Sequence, residues 1–124
     1  MKIYRISQSN NIEFVLSPVS KNAGHEIVYV DTAKFDQYFQ KETDFYIGEG
    51  GSGNSIGNRY NGFKDFLEEG IPIEVSQVYI SDTFEVGFGN GRHRYAVLRD
   101  MGYDKIPVSM SKESIERAKE MGII

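Results

Sequence analysis

Cysteine is absent from this chain, and its absence removes several kinds of chemistry at once. Without a thiol there is no disulfide, no cysteine nucleophile and no cysteine ligand for a metal. The start, MKIYRISQSN, contains a lysine but no apolar stretch of the length that a signal peptide needs. No apolar run approaches the roughly 18 residues that span a bilayer. The absence of cysteine, of a signal peptide and of a long apolar run predicts a soluble, cytoplasmic protein with no membrane partner.

A basic net charge is also lacking, since the formal net charge is −4 and the sequence pI is about 5.2. The chain therefore has no general attraction for nucleic acid, and DNA is the less favoured partner. What it does contain is 40% hydrophobic residues, including eight Phe and eight Tyr, which is typical of a folded globular protein. The length of 124 residues predicts one domain over residues 1–124.

The residue pattern predicts an α+β fold. Alternating and β-branched residues predict strands at 2–6, 12–16, 25–30, 71–80, 83–90 and 105–110. Helical spacing predicts helices at 32–40, 63–69, 94–101 and 111–122. We expect the first two strands to form a hairpin, Ser81-Asp82 to be a tight turn, and Pro107 to place its strand at an edge or at a strand start. The result is a small mixed β-sheet with short helices packed on it.

Capping residues and apolar faces support these helices. Asp31 and Ser111 are expected to be N-caps, and Gly70 and Gly102 to end helices. Apolar faces assigned to core packing are Phe35, Tyr38 and Phe39 in the first helix, Phe63, Phe66 and Leu67 in the second, and Ile115, Ala118 and Met121 in the last.

The stretch GNGRHRYAVLRDMG, residues 89–102, runs from a glycine-rich turn into a helix. A helix start leaves backbone N–H groups without partners, and glycines at 87, 89 and 91 permit close approach and positive φ. Such a start suits phosphate or carboxylate. Arg92 and Arg94 add guanidinium forks, and His93 can donate a proton or a hydrogen bond. The alternative is a solvated helix start whose arginines pair with some of the 18 acidic residues.

Residues 88–110, FGNGRHRYAVLRDMGYDKIPVSM, resemble the signature of the ParB/sulfiredoxin-like superfamily. That signature is a strand, an Asp-Gly-x-His-Arg turn, a helix starting Tyr-Ala-Ala, a glycine near its end and an Ile-Pro-Val strand. Here the turn reads Asn90-Gly91-Arg92-His93-Arg94, and the match needs no gaps. The likeness is looser over residues 26–87, and residues 1–25 lie outside it.

In that superfamily the turn binds nucleotide phosphates; its members include sulfiredoxins, free-serine kinases and CTP-binding ParB clamps. The resemblance implies that Gly91, His93 and Arg94 contact phosphate. The full set of candidate nucleotide-binding residues is Gly89, Asn90, Gly91, Arg92, His93, Arg94 and Arg59. The candidate catalytic residues are His93 and Glu85. The implied cofactor is ATP or another nucleotide, with or without Mg²⁺, and no resident metal site is predicted.

This sequence departs from the family in two ways. Sulfiredoxins place a cysteine before the His-Arg pair, where this chain has Arg92, so sulfinic acid reduction through a cysteine is excluded. Kinase-like members begin the turn with aspartate, where this chain has Asn90. An amide is a poor magnesium ligand and no base, which weakens the case for phosphoryl transfer through this position. About 14 residues follow Met110, too few for the DNA-reading and dimerisation segments of ParB clamps.

Residues 48–53, GEGGSG, match G-x-G-x-x-G literally but lack the helix and the later acidic residue of a dinucleotide site. Residues 48–62 are expected to be either a mobile loop or a flap that closes over the ligand with Arg59 reaching in. Tyr60 is expected to be a buried aromatic, with stacking on a base as the alternative. Asp31 and Glu49 are weaker acidic candidates.

Three functions follow from these residues. The first is a nucleotide-binding domain, with hydrolysis or phosphoryl transfer as its extension. The second is a non-catalytic module of a mobile element or phage that binds a protein or DNA partner. The third is a ParB-like nuclease, ranked last because no carboxylate cluster suitable for two metals stands out.

Overall fold

The computed structural model describes residues 12–124 of the chain. The predicted strand at residues 2–6, and with it the predicted hairpin, lies outside them. The elements are β1 (Phe14–Val15), α1 (Pro18–Asn22), β2 (Glu26–Asp31), α2 (Thr32–Phe39), a 3-10 turn (Glu49–Gly51), α3 (Arg59–Leu67), β3 (Ile73–Glu74), β4 (Ser76–Ile80), β5 (Val86–Asn90), α4 (Arg92–Asp100), β6 (Lys105–Met110) and α5 (Lys112–Glu120).

The sheet is mixed, which confirms the predicted α+β class. Four strands lie in the order β2-β6-β4-β5, in which β6 is antiparallel to β2 and parallel to β4, and β4 is antiparallel to β5. A separate two-stranded pair joins β1 to β3 in parallel. Among the described residues, no helix is long and apolar enough to cross a membrane.

Pro107 is the third residue of β6, a strand that lies between β2 and β4, so it is neither at an edge nor at a strand start as predicted. It faces Tyr29 of β2 on one side. On the other side, β4 comes into register with Val108 and Ser109, one residue beyond the proline. The missing proline N–H therefore falls just before the β4 pairing begins, which is why a central strand tolerates it.

Aromatic side chains from three elements form the centre of the core. Phe35 and Phe39 of α2 are fully buried, which confirms the predicted core face of that helix, while Tyr38 is only partly buried. Both rings meet Phe88 of β5 and Tyr95 of α4, with ring centroids 4.9–5.8 Å apart. All four contacts are edge-to-face, and through the shared Phe88 they hold α2 and α4 against the same face of the sheet.

The predicted N-caps are confirmed. The Asp31 side chain accepts a hydrogen bond from the Lys34 N–H at 3.0 Å, and the Ser111 side chain accepts one from the Ser114 N–H at 3.2 Å. Gly102 follows α4 with a φ of +89°, as a helix-ending glycine does.

Several predicted boundaries were wrong. Helix α3 begins at Arg59, four residues before the predicted start at 63, and Phe66 is exposed although it was expected to face inward. The strand predicted at 71–80 is split at Val75 into β3 and β4. The turn after β4 is wider than Ser81-Asp82, since the Ser81 N–H donates to the Glu85 carbonyl at 2.9 Å.

Candidate functional site

The start of α4 lies between two cavities. The larger, of about 650 Å³, is bounded by α3, β3 and the first turn of α4. The smaller, of about 410 Å³, is bounded by residues 42–45, by Ile56 and by β5. Both are lined by Arg59, Asn90, Gly91 and His93. The two cavities therefore meet at the glycine-rich turn.

All seven candidate nucleotide-binding residues line this double cavity. Besides the four shared residues, Arg94 lines the larger cavity, and Gly89 and Arg92 line the smaller one. Glu85, the second candidate catalytic residue, does not line either cavity. It precedes β5 at the end opposite the turn, so about 16 Å of extended strand separate it from Asn90.

Gly91 has the one backbone conformation in this turn that demands glycine. It is the residue before α4, and its φ is +83°. The Ser76 hydroxyl donates to its carbonyl at 2.7 Å. A Cβ at this position would lie 2.6 Å from Arg94 Nη2 and 2.9 Å from Ser76 Cα. The glycines at 87 and 89 instead lie in β5 beneath the Tyr79 and Gln77 side chains, and neither has positive φ.

Arg94 lies against this turn, with one part of its guanidinium group unused. Its Nη2 donates to Asn90 Oδ1 at 3.0 Å. Its Nε is buried and has no hydrogen-bond partner among residues 12–124. Burial lowers the pKa of the Arg94 guanidinium, an effect that the charge of Glu74 opposes. The charge is therefore partly desolvated and strengthened as a donor toward an anion.

Arg92 is committed to the protein. Its Nη1 donates to two backbone carbonyls, that of Phe45 at 3.0 Å and that of Asn54 at 2.9 Å. Its guanidinium also lies 5.8 Å from the centre of the Phe45 ring. Burial and then the neighbouring charge of Arg59 lower the pKa of Arg92. The first residue of α4 thus holds the glycine-rich segment in place.

His93 makes a second connection to that segment. The residue is buried, and its Nε2 accepts a hydrogen bond from the Ile56 N–H at 3.0 Å. Burial, and then the charges of Arg92 and Arg59, lower the pKa of the imidazole. The ring is therefore neutral near pH 7, with its proton on Nδ1 because Nε2 is the acceptor.

Arg59 is the uncommitted cation of the site. It is the first residue of α3, it is exposed, and it lines both cavities. No carboxylate or carbonyl of residues 12–124 forms an ion pair or hydrogen bond with its side chain. Its charge faces the start of α4 across the space where the cavities meet.

No local sequence pattern indicated the polar network beneath the site. Arg99 donates to Asp36 at 3.1 Å, to Asp100 at 2.9 Å and to the Ile47 carbonyl at 2.7 Å. Asp100 also accepts hydrogen bonds from the Tyr60 hydroxyl at 2.6 Å and from the Gly50 N–H at 3.0 Å. These partners are up to 63 residues apart in the chain, beyond the reach of local pattern.

This network fixes the glycine-rich segment and α3 to α4. Tyr60 is buried as predicted. Burial and the hydrogen bond to Asp100 raise the pKa of its hydroxyl to about 12. The segment that was expected to be a loop or a flap, residues 48–62, thus makes backbone contacts with Arg92, His93 and Asp100.

Carboxylates lie in both cavities, and neither was singled out from the sequence. Glu74 of β3 lines the larger cavity and Glu42 lines the smaller one. Asp31 serves as the cap of α2, and Glu49 is exposed in the 3-10 turn. Within residues 12–124, no group of three or more His, Asp and Glu side chains is placed to hold a metal ion.

Comparison of the chain with protein-family models, with curated proteins and with solved structures gives no match.

Proposed function

We propose that this protein is a nucleotide-binding domain of ParB/sulfiredoxin type that holds a polyphosphate at residues 89–94. The observation that carries the proposal is the convergence of all seven candidate binding residues on one double cavity. The order of β5, the turn, α4, Gly102 and β6 is also the order that the resemblance implies. Each of the two cavities has a volume in the range that small-molecule sites occupy in proteins.

The basic residues of the site have different roles in binding. Arg59 and Arg94 have guanidinium N–H groups without partners among residues 12–124, so they are the residues that neutralise the phosphates. Backbone N–H groups at the start of α4 add donors there. His93 contributes Nδ1–H as a neutral donor, because its Nε2 is engaged by Ile56. Arg92 acts indirectly, by holding residues 45–54 at the edge of the smaller cavity.

Hydrolysis or phosphoryl transfer is the extension of this proposal. His93 in its neutral form is a hydrogen-bond donor at pH 7, and it becomes a general acid only after protonation. Glu85 is too far from the turn to act with it. The Asn90 Oδ1 already accepts from Arg94. Binding is therefore the primary function. Glu42 is the carboxylate that lines the smaller cavity, so its substitution is the test for turnover there.

A thermal-shift panel tests the binding step. ATP, ADP, GTP and CTP, each with and without Mg²⁺, are compared on the wild type, Arg94→Ala and the control Lys34→Ala, whose exposed side chain lies on α2. A nucleotide at 100 times its Kd stabilises the fold by about 2.7 kcal/mol. We expect a shift of several degrees with at least one nucleotide in wild type and control, lost in Arg94→Ala. No shift in a well-folded wild type overturns the proposal.

The second candidate function is a non-catalytic interaction module. Phe45, Ile56 and Tyr79 line the smaller cavity and are 57%, 50% and 53% exposed. An apolar rim of this kind also suits a side chain of a protein partner. A stable protein complex that forms equally well with and without nucleotide would favour this second function.

A further inference from the structure

We propose that the larger cavity is a nucleobase subsite and that Glu74 makes it selective for guanine. This inference rests on the proposed nucleotide-binding function and names the substrate class. The wall of this cavity combines an aromatic surface, a carboxylate without a partner among residues 12–124, and the cations of the turn.

The apolar part of the cavity offers aromatic rings on which a flat base can stack. Phe63, Phe66, Pro72 and Ile73 line it. The Phe63 and Phe66 rings are stacked, with planes 30° apart and centroids 6.5 Å apart. Phe66 is 37% exposed although the rest of the apolar face of α3 is turned to the core. An exposed ring at the wall of a cavity is a platform for base stacking.

The polar end of the same cavity is where the phosphates would lie. Asn90, Gly91, His93 and Arg94 line it, and Arg59 lies beside them. Of these residues, all but Arg94 also line the smaller cavity. A base in the larger cavity therefore places its phosphates at the junction of the two cavities, against the start of α4.

Glu74 is the carboxylate of this cavity. It is exposed, and its carboxylate makes no hydrogen bond or ion pair with any side chain or backbone group of residues 12–124. Its charge acts on Arg94 across the cavity, yet the two groups do not form an ion pair within 4.0 Å. An ionised carboxylate has two acceptor oxygens and no donor, so its preferred ligand presents two neighbouring N–H groups.

Guanine is the nucleobase that meets this requirement. Its pairing edge presents a ring N–H next to an amino group, which matches the two oxygens of one carboxylate. Adenine and cytosine place their amino group beside a ring nitrogen that is itself an acceptor, and uracil places its N–H between two carbonyls. Each of those acceptors would face the negative charge of Glu74 without a donor between them, which disfavours binding.

Calorimetric titration tests the assignment by changing the hydrogen-bonding groups of both the protein and the base. GTP, ATP, CTP, UTP and xanthosine triphosphate are titrated into wild type, Glu74→Gln, Arg94→Ala and the control Glu69→Gln, which removes an exposed carboxylate outside the cavity. Xanthine carries a carbonyl where guanine has its amino group, so a glutamine amide can donate to it. Circular dichroism establishes that each variant is folded.

The expected result is a change of preference. Wild type and Glu69→Gln bind GTP at least tenfold more tightly than ATP, CTP or UTP. Glu74→Gln binds GTP at least tenfold more weakly than wild type and binds xanthosine triphosphate more tightly than wild type does.

Three results would overturn the guanine assignment, and they differ in what they leave standing. Equal affinity for all the nucleotides, lost in Arg94→Ala, removes the assignment but leaves the nucleotide site. An equal loss for every nucleotide in Glu74→Gln shows that Glu74 acts through Arg94 and not on a base. No binding of any nucleotide removes both this assignment and the proposed function.

Discussion

The imidazole Nε2 of His93 accepts a hydrogen bond from the backbone N–H of Ile56 at 3.0 Å. This contact joins the first turn of α4 to the glycine-rich segment, so a residue chosen from the sequence as a ligand to phosphate also has a structural task. A neutral imidazole is the form that can accept this hydrogen bond, which makes the contact sensitive to pH.

Stability should fall with acid through His93. In the unfolded chain a histidine has a pKa of about 6.5. Burial lowers the pKa of His93 in the fold, so below about 6.5 the unfolded chain binds more protons than the native state. The free energy of unfolding then decreases by at most about 1.4 kcal/mol per pH unit. His93→Gln, whose amide oxygen can accept from Ile56, should show a flatter profile between pH 7 and 5.5 in urea titrations. Identical profiles in the two proteins would contradict this prediction.

Arg99 should be the most destabilising arginine to remove. Its side chain is 11% exposed and pairs with Asp36 and Asp100, whose side chains are 14% and 16% exposed. Arg99→Met leaves both carboxylates without their cation, which typically costs about 3–5 kcal/mol. Lys119→Met removes an exposed ion pair with Glu116 and should cost under about 1 kcal/mol. Urea denaturation measures both, and comparable losses would show that the Arg99 network contributes little.

Removing Arg92 should lower the stability of the fold, whereas removing Arg59 should lower the affinity for nucleotide. Arg92→Ala removes two hydrogen bonds to carbonyls and should cost about 1.5–3 kcal/mol of folding free energy. Arg59→Ala, without partners in residues 12–124, should change stability by no more than about 0.5 kcal/mol. It should weaken nucleotide binding by about tenfold to a hundredfold, since a charge-assisted contact contributes about 1.5–3 kcal/mol. Unchanged affinity in Arg59→Ala would remove it from the site.

Gly91→Ala should be more damaging than an alanine at an equally left-handed glycine in open space. At Gly91 the φ is +83° and a Cβ would press on Ser76 and Arg94. At Gly57 the φ is +54° and no atom lies within 4 Å of the added Cβ. The backbone conformation alone costs roughly 1–2 kcal/mol at either position. The clash at Gly91 should add at least about 1 kcal/mol. Thermal unfolding of the two variants checks the difference, and equal melting temperatures would count against the clash.

Local pattern predicted the elements whose signals are contained in a few residues. The strand KIPVSM and the caps at Asp31 and Ser111 agree with the structure, since alternation and capping act over two to four positions. The start of α3 was missed because Asn58 makes no side-chain cap, so burial of Tyr60 and its bond to Asp100 decide where the helix begins.

The candidate site was predictable in its position and not in the roles of its residues. A motif brought the cations of residues 92–94 together in the sequence, and all of them line the cavities. That Arg92 is used by the carbonyls of Phe45 and Asn54 depends on contacts across at least 38 residues. Glu42 and Glu74 were missed for the same reason, because only the fold brings them to the cavities.

The position of β6 in the sheet has a consequence for how the chain acquires its structure. Strand β2 pairs with β6 and with no other strand of the four, although about 75 residues separate the two. A ribosome therefore synthesises β2 long before β6. Until β6 is made, the backbone N–H and C=O groups of β2 have no partner strand. Closing so long a loop is slow, so the β2–β6 pairing raises the contact order of the fold and lengthens the interval in which nascent chains can associate.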